Sequence, residues 1–250
     1  MTPPADRHVR GTLRRMRAVP SWLPRAPSAR RARATPRRVG GCLLSVTVVV
    51  SLGAYAFYGG GNWTVVFDGY GSVRRTVAAG RLVHELAPAA ARRPDETHAA
   101  LVVSTRTYGD LRLSLDVRTA SQLRTGSPPN PWEAAWALWH YTDEHHFYYL
   151  VLKPNGWELG KRHPAGAGGQ RFLASGESPA FPLGGWHHVE VVQAGPTMTV
   201  RVDGRLLTRF TDTDDPYLGG RVGMYVEDAV AQFAAVHADP VAGGADPVRA

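Results

Sequence analysis

Residues 136–159 read WALWHYTDEHHFYYLVLKPNGWEL. Two apolar runs, 135–141 and 146–153, flank a polar stretch that begins at Thr142, and a second turn signal, Pro154-Asn155-Gly156, precedes Trp157, Glu158 and Leu159. Short runs rich in Trp, Tyr, Phe and Val between such turns read as strands of an antiparallel ribbon. With residues 142–145 as a four-residue turn, Tyr141 faces His146, Trp139 faces Tyr148, Ala137 faces Leu150 and Ala135 faces Leu152. Directly opposed residues share a face, and this mostly apolar set is assigned to the core. A two-residue turn at Asn155-Gly156 then sets Glu158 opposite Lys153 and Leu159 opposite Leu152. The second face carries Trp136, Leu138, His140, Phe147, Tyr149, Val151, Lys153 and Glu158. A slip of one residue would exchange the two faces.

The same alternation extends outward. Leu111, Leu113, Leu115 and Val117 alternate with Arg112, Ser114, Asp116 and Arg118; Val189 and Val191 flank Glu190; Met198, Val200 and Val202 alternate with Thr199 and Arg201; Val222, Met224 and Val226 follow Gly219-Gly220. Asp203-Gly204 and Gly184-Gly185 separate further runs. The sequence offers no convincing amphipathic helix. About a dozen closely spaced strands predict an all-β fold of two antiparallel sheets packed as a sandwich. The expected core includes Leu150, Leu152, Leu159, Val189, Val200 and Met224.

Charge divides the chain. Of 250 residues, 29 are Lys or Arg and 21 Asp or Glu, a net +8. Residues 1–40 hold eleven of the arginines and one Asp, so residues 41–250 carry 18 basic against 20 acidic side chains. The basic character belongs to the leader, and a nucleic-acid-binding body is not expected. Residues 1–40 lack apolar periodicity and are expected to be disordered. Residues 41–58, GCLLSVTVVVSLGAYAFY, carry no charge. After an Arg-rich flank this reads as a secretory signal, with Ala54-Tyr55-Ala56 offering a cleavage site, or as a membrane anchor if uncleaved. Either way the body is expected outside the cell or at its surface. The lone Cys42 precedes the apolar run and predicts neither disulfide nor lipidation. A flexible tail is expected over 239–250.

Eight aromatic residues fall between 132 and 157, against 9% aromatics in the whole chain. The second face therefore gathers Trp136, His140, Tyr149, Lys153 and Glu158. Sugars have apolar C–H faces and polar edges, so aromatic platforms beside hydrogen-bonding groups suit them. Arg112, Asp116 and Arg118 would join if residues 109–119 lie in the same sheet, and Glu133 and Trp157 are counted as further substrate contacts. Lys153–Glu158 could equally be a solvated cross-strand pair of little energetic worth. The chain contains no H-E-x-x-H, G-x-S-x-G or P-loop motif. Adjacent residues of a strand point to opposite faces, so His145-His146 and His187-His188 make poor chelates. The run 211–215, Thr-Asp-Thr-Asp-Asp, reads as a solvated turn rather than a calcium loop.

Five stretches carry a family resemblance: NWTVVFDGYGSV (62–73), TYGDLRLSLDVR (107–118), residues 136–159, GGWHHVEVVQAGPTMTVRVDGRLL (184–207) and GRVGMYVEDAVAQF (220–233). Their order resembles the concanavalin A-like lectin/glucanase superfamily, especially its secreted bacterial laminin-G-like and 3-keto-disaccharide-hydrolase-like modules. The resemblance implies a jelly roll over about 62–238. It implies function only broadly, because the superfamily includes lectins, adhesion modules, hydrolases and lyases. Two departures matter. The Asp-Asp-Phe type opening that helps many relatives bind structural calcium is FYGGGNW here, which leaves Asp68, Glu227 and Asp228 as the candidate ligands. The laminarinase-type E-x-D-x-x-E strand is absent, so no carboxylate pair at the retaining separation of about 5–5.5 Å is evident. The favoured expectation is a monomeric module that binds a polysaccharide or oligosaccharide on an aromatic-lined concave face, with no certain cofactor. The alternatives are an enzyme in the same cleft, or a structural or protein-interaction module. As a lyase, it would use His140 and Tyr149 to move protons and Lys153 and Arg112 to neutralise a uronate; a glycoside hydrolase would lean on Glu158.

Overall fold

A computed structural model describes residues 62–241. The expectations for residues 1–40, for the apolar run 41–58 and for most of the tail lie outside that span. Fourteen strands follow in chain order: β1 (Trp63–Phe67), β2 (Ser72–Ala78), β3 (Arg81–Ala87), β4 (Ala99–Tyr108), β5 (Leu111–Gln122), β6 (Ala135–Asp143), β7 (His146–Lys153), β8 (Gly156–Arg162), β9 (Gln170–Gly176), β10 (His187–Ala194), β11 (Thr197–Val202), β12 (Arg205–Thr211), β13 (Gly220–Glu227) and β14 (Ala229–Pro240). The single helical element among the described residues is a 3₁₀ turn at Ala167–Gly169. Pairing continues to Asp239 and Pro240, opposite Arg112 and Leu111, so these first two residues of the expected tail belong to β14 instead.

Two seven-stranded sheets result, the first ordered β1-β4-β13-β6-β7-β8-β9 and the second β12-β11-β10-β5-β14-β3-β2. Every paired strand is antiparallel. The inner faces meet in one core that includes Leu113, Leu115, Leu150, Leu152, Leu159, Val189, Val200 and Met224. Each such aliphatic side chain contributes about 1.5–3 kcal/mol by leaving water. Strand β5 shows how the alternation is used: Leu111, Leu113, Leu115 and Val117 are buried while Arg112, Ser114, Asp116 and Arg118 point outward.

The first sheet departs from simple alternation because both of its faces are apolar. Leu101, Val103, Leu138, Tyr149, Val151 and Tyr225 form a second buried cluster on its outer side. That is why β4, β7 and β13 read as nearly continuous apolar runs. Trp139↔Tyr148 and Ala137↔Leu150 pair as the sequence predicts. Beyond Trp139 the register shifts, and Asp143 rather than Tyr141 pairs with His146. The extra residues form a bulge in which His140 takes φ 50°. The bulge has a partner on β13: a Cβ on Gly220 would lie 2.4 Å from the His140 carbonyl carbon, so only glycine admits this approach. Tyr141 thereby joins the outer cluster instead of the core, ring to ring with Phe147 at 5.9 Å.

Candidate functional site

The floor of the site is built by β7 and β8. Their turn is Pro154-Asn155, with Lys153 opposite Gly156 and Glu158 opposite Val151. This differs by two residues from the register expected above, and a shift of two preserves the face. Glu158 therefore stands on the outer side of the first sheet. Lys153 Nζ donates to Glu158 Oε2 at 3.1 Å, and the Tyr149 hydroxyl donates to Oε1 at 3.1 Å. Both carboxyl oxygens are engaged, one by a cation and one by a neutral donor. Burial, reinforced by the Glu158 charge, raises the Tyr149 phenol well above its ordinary range. Tyr149 is thus a fixed donor and a poor base. Trp136 packs against it with ring centroids 4.6 Å apart, and the Trp136 indole N–H donates to the Trp132 carbonyl.

Continuing along β8 on the same face come Gly160 and Arg162. A Cβ at Gly160 would fall 2.3 Å from the Tyr149 hydroxyl, so the glycine makes room for the ring that holds Glu158. Arg162 is buried, 2% exposed, and donates to the Gly168 carbonyl at 3.0 Å. Glu227 enters from the end of β13 and accepts from the Tyr225 hydroxyl at 2.7 Å. Burial raises its pKa to about 7, which the Tyr225 hydrogen bond and the Arg162 charge only partly offset. Near neutral pH this carboxyl retains its proton in a large share of molecules.

These groups line a cavity of about 420 Å³. Its floor and polar wall are Lys153, Glu158, Arg162 and Glu227; Trp132 and Phe172 flank it. The two flanking rings are 46% and 65% exposed, unlike the rings beneath the floor. An exposed ring on either side of four ionisable groups is what a half-apolar, half-polar ligand needs. Arg162 and Glu227 were missed as pocket groups in the sequence. Period two reaches Arg162 from Glu158 on β8 and Glu227 from Tyr225 on β13, whereas Trp132 arrives through loop geometry that carries no local signal.

The structure brings Trp136, Tyr149, Lys153 and Glu158 together and disperses the other sequence candidates. His140 is removed by the bulge to the Tyr148 side of the sheet. Its Nδ1 lies 2.7 Å from the Tyr217 carbonyl and its Nε2 2.9 Å from that of Gly109. Only an imidazolium could donate to both, and burial opposes that charge, holding the pKa below the usual histidine value. Both ring nitrogens of His140 thus face backbone carbonyls on the Tyr148 side, and the structure does not bring His140 to Tyr149, which lies in the outer cluster. Trp157 is opposite Leu152 and packs into the inter-sheet core. Arg112, Asp116 and Arg118 belong to the second sheet: Arg112 pairs with Glu190 at 2.9 Å, Asp116 takes Arg81 and His188, and Arg118 faces Gln232.

Glu133 is fully buried behind the cavity. Arg124 Nε donates to Glu133 Oε1 at 2.5 Å, and its Nη2 donates to Asp228 Oδ2 at 2.9 Å and to the Glu96 carbonyl at 3.0 Å. Desolvation raises the Asp228 pKa to about 6 despite Arg124. The expected calcium ligands are thus otherwise employed: Asp228 holds Arg124, Glu227 holds Tyr225, and Asp68 accepts the Tyr70 amide at 3.1 Å. Among the described residues no group of three or more His, Cys, Asp or Glu could hold a metal ion. The 211–215 turn is likewise occupied from within: buried Lys161 donates to Asp212 Oδ2 at 2.7 Å and to the Asp214 and Asp215 carbonyls. Among the described residues, no helix is long and apolar enough to cross a membrane.

Residues 56–237 match the family model described as a 3-keto-alpha-glucoside-1,2-lyase-like domain. No curated protein matches the chain. Among solved structures, the carbohydrate binding module CBM66 from Bacillus subtilis aligns with a TM-score of 0.52 at 16% identity, over 71% of this chain and 95% of that one. A beta-glucanase from Bacillus licheniformis aligns with a TM-score of 0.47 at 13% identity, over 74% and 96%. The sandwich is the concanavalin A-like jelly roll to which the sequence motifs point.

Proposed function

The chain belongs to the 3-keto-alpha-glucoside-1,2-lyase-like domain family, and from that premise we propose that the cavity over β6–β9 is a saccharide-binding site. The observation that carries this reading is the pairing of exposed Trp132 and Phe172 with a polar floor of Lys153, Glu158, Arg162 and Glu227. Sugar C–H faces stack on the two rings, while hydroxyls exchange hydrogen bonds with the floor. Residues 41–58 support placing this activity outside the cytoplasm, as a module released or anchored after export. Titration calorimetry with α- and β-linked glucose disaccharides tests the reading. Heat of binding that is lost in Trp132→Ala supports it; a wild-type protein silent towards both sugars and their 3-keto derivatives refutes it.

A second reading is catalytic, and the raised pKa of Glu227 favours it. In a glucoside oxidised at C3, the proton on C2 is acidic because the carbanion delocalises onto the carbonyl. A base removes that proton, the electron pair forms the C1=C2 bond, the C1–O bond breaks, and an acid protonates the departing oxygen. Glu158 suits the base. Glu227, with its pKa raised to about 7, suits the acid. Lys153 and Arg162 would stabilise the developing enolate oxygen. The observable is the conjugated enone product, which absorbs in the ultraviolet. Loss of that signal in both Glu158→Gln and Glu227→Gln, with binding retained, supports the reading. A rate unchanged in either variant refutes this assignment of roles.

A further inference from the structure

We infer that Tyr70, beside His98 at the Thr97 wall of the cavity, is a second stacking platform for a further sugar ring of an oligosaccharide seated in the pocket. This rests on the saccharide reading above. Tyr70 is the large aromatic residue of the β1–β2 loop, and it is 65% exposed. Burial does not hold it, yet its backbone is fixed in a left-handed conformation at φ 61°. Such a conformation is costly for a bulky side chain and persists only where its surroundings impose it. Here they do. The Tyr70 amide donates to Asp68 Oδ1, the Gly71 amide to the Asp68 carbonyl at 3.2 Å, and the Ala89 amide to the Gly69 carbonyl at 2.9 Å. The loop is thus tied to the segment that leads into β4.

The ring has a fixed neighbour. Tyr70 and His98 meet edge to face, with centroids 5.5 Å apart and planes at 76°. His98 is itself held: its amide donates to Asp228 Oδ1 at 2.9 Å and its Nδ1 donates to the Ala89 carbonyl at 2.9 Å. Asp228 follows Glu227 of the cavity floor, and Thr97, next to His98, lines the cavity. A rigid path therefore leads from the pocket to the exposed ring. The direction is set by strand order. Tyr70 follows β1 and Trp132 precedes β6, and these strands are three positions apart in the first sheet. At about 4.8 Å per strand that is on the order of 14 Å, beyond the reach of one sugar ring seated at Trp132. Tyr70 should consequently matter for a chain and not for a disaccharide.

The experiment is titration calorimetry with α-1,4-linked gluco-oligosaccharides from disaccharide to hexasaccharide, and with the β-1,4 series alongside. In wild type, affinity is expected to rise with length. Tyr70→Ala should weaken hexasaccharide binding roughly three- to tenfold, the worth of one aromatic contact, and leave the disaccharide unchanged. Tyr70→Phe, which keeps the ring and loses the hydroxyl, should behave as wild type, and Tyr70→Gly, which relieves the φ 61° backbone, should match Tyr70→Ala. The inference is overturned if Tyr70→Ala and Tyr70→Gly leave the hexasaccharide unaffected, or if they weaken disaccharide and hexasaccharide equally. Wild type that binds no member of either series overturns the saccharide reading and this inference together, whereas binding insensitive to Tyr70 overturns this inference alone.

Discussion

On the outer side of the second sheet, Arg112 meets Glu190 at 2.9 Å with side chains 49% and 29% exposed. On the outer side of the first, Lys153 meets Glu158 at 3.1 Å with both at 16%, beside an Arg162 that is 2% exposed. Both pairs arise from the same grammar of charged residues alternating with apolar ones on a strand. What separates them is the surroundings. Around Arg112 the outer positions are polar and wet, so the pair is screened and holds little free energy. Around Glu158 the neighbours are Tyr149 and Trp136, and the flanking rings restrict water. Charges there are oriented in advance and interact more strongly, which is what a binding site needs. The contrast teaches that a charged cross-strand pair becomes a site when its face is otherwise aromatic and partly enclosed.

The contrast is broken most severely by attacking the anchor behind the cavity. Arg124→Met leaves Glu133 and Asp228 buried without their cation. Unfolding in urea should show a loss of about 3–5 kcal/mol at neutral pH. A loss below about 1 kcal/mol would mean that the loop holding Trp132 is not set by this cluster.

The pH dependence of Glu227 gives the next largest effect. Its folded pKa of about 7 exceeds the ordinary 4.5. Between those values the unfolded chain has released the proton and the folded one has kept it. Stability should therefore be full below pH 4.5 and fall as pH rises to 7, by an amount on the order of 3 kcal/mol. Glu227→Gln keeps the acceptor for Tyr225 and removes the titration. The variant should show a flatter stability–pH curve over that window and be the more stable protein at pH 7. An unchanged slope would place the raised pKa elsewhere.

Gly160→Ala comes third. The added Cβ must displace the Tyr149 ring, at a cost of about 1–3 kcal/mol, and saccharide affinity should fall with it as Glu158 loses a donor. Retained affinity at full stability would show that Tyr149 does not position Glu158. The smallest effect belongs to the other sheet: Glu190→Ala should change stability by less than about 1 kcal/mol and leave binding untouched.

The faces of β7 and β8 were legible because side-chain period two tolerates an error of two in register. Glu158 pairs with Val151 rather than Lys153, and the period still places it on the outer face. The same tolerance fails at a bulge. Nothing local in Trp139-His140-Tyr141 announces that His140 will turn under the sheet; the cause is Gly220, eighty residues away in sequence, where a missing Cβ lets the two backbones meet. Arg112, Asp116 and Arg118 were misplaced for a related reason. Alternation fixes which side chains point outward, but the sheet a strand joins is decided by pairing with β10 and β14, which is a long-range choice. Glu227 and Asp228 stand out in the sequence only as candidate calcium ligands, and their burial has no local signal. Glu227 meets Tyr225 two residues before it on β13, whereas the role of Asp228 depends on Arg124, which follows β5.

The most direct test sets the two faces against each other in one titration series. Wild type, the double variant Trp132→Ala with Glu158→Gln, and the double variant Arg112→Ala with Asp116→Ala are titrated with the glucose oligosaccharide that wild type binds best. The account predicts that binding vanishes in the first double variant and is unchanged within error in the second. Binding that survives the first and is lost in the second would place the site on the second sheet and contradict it.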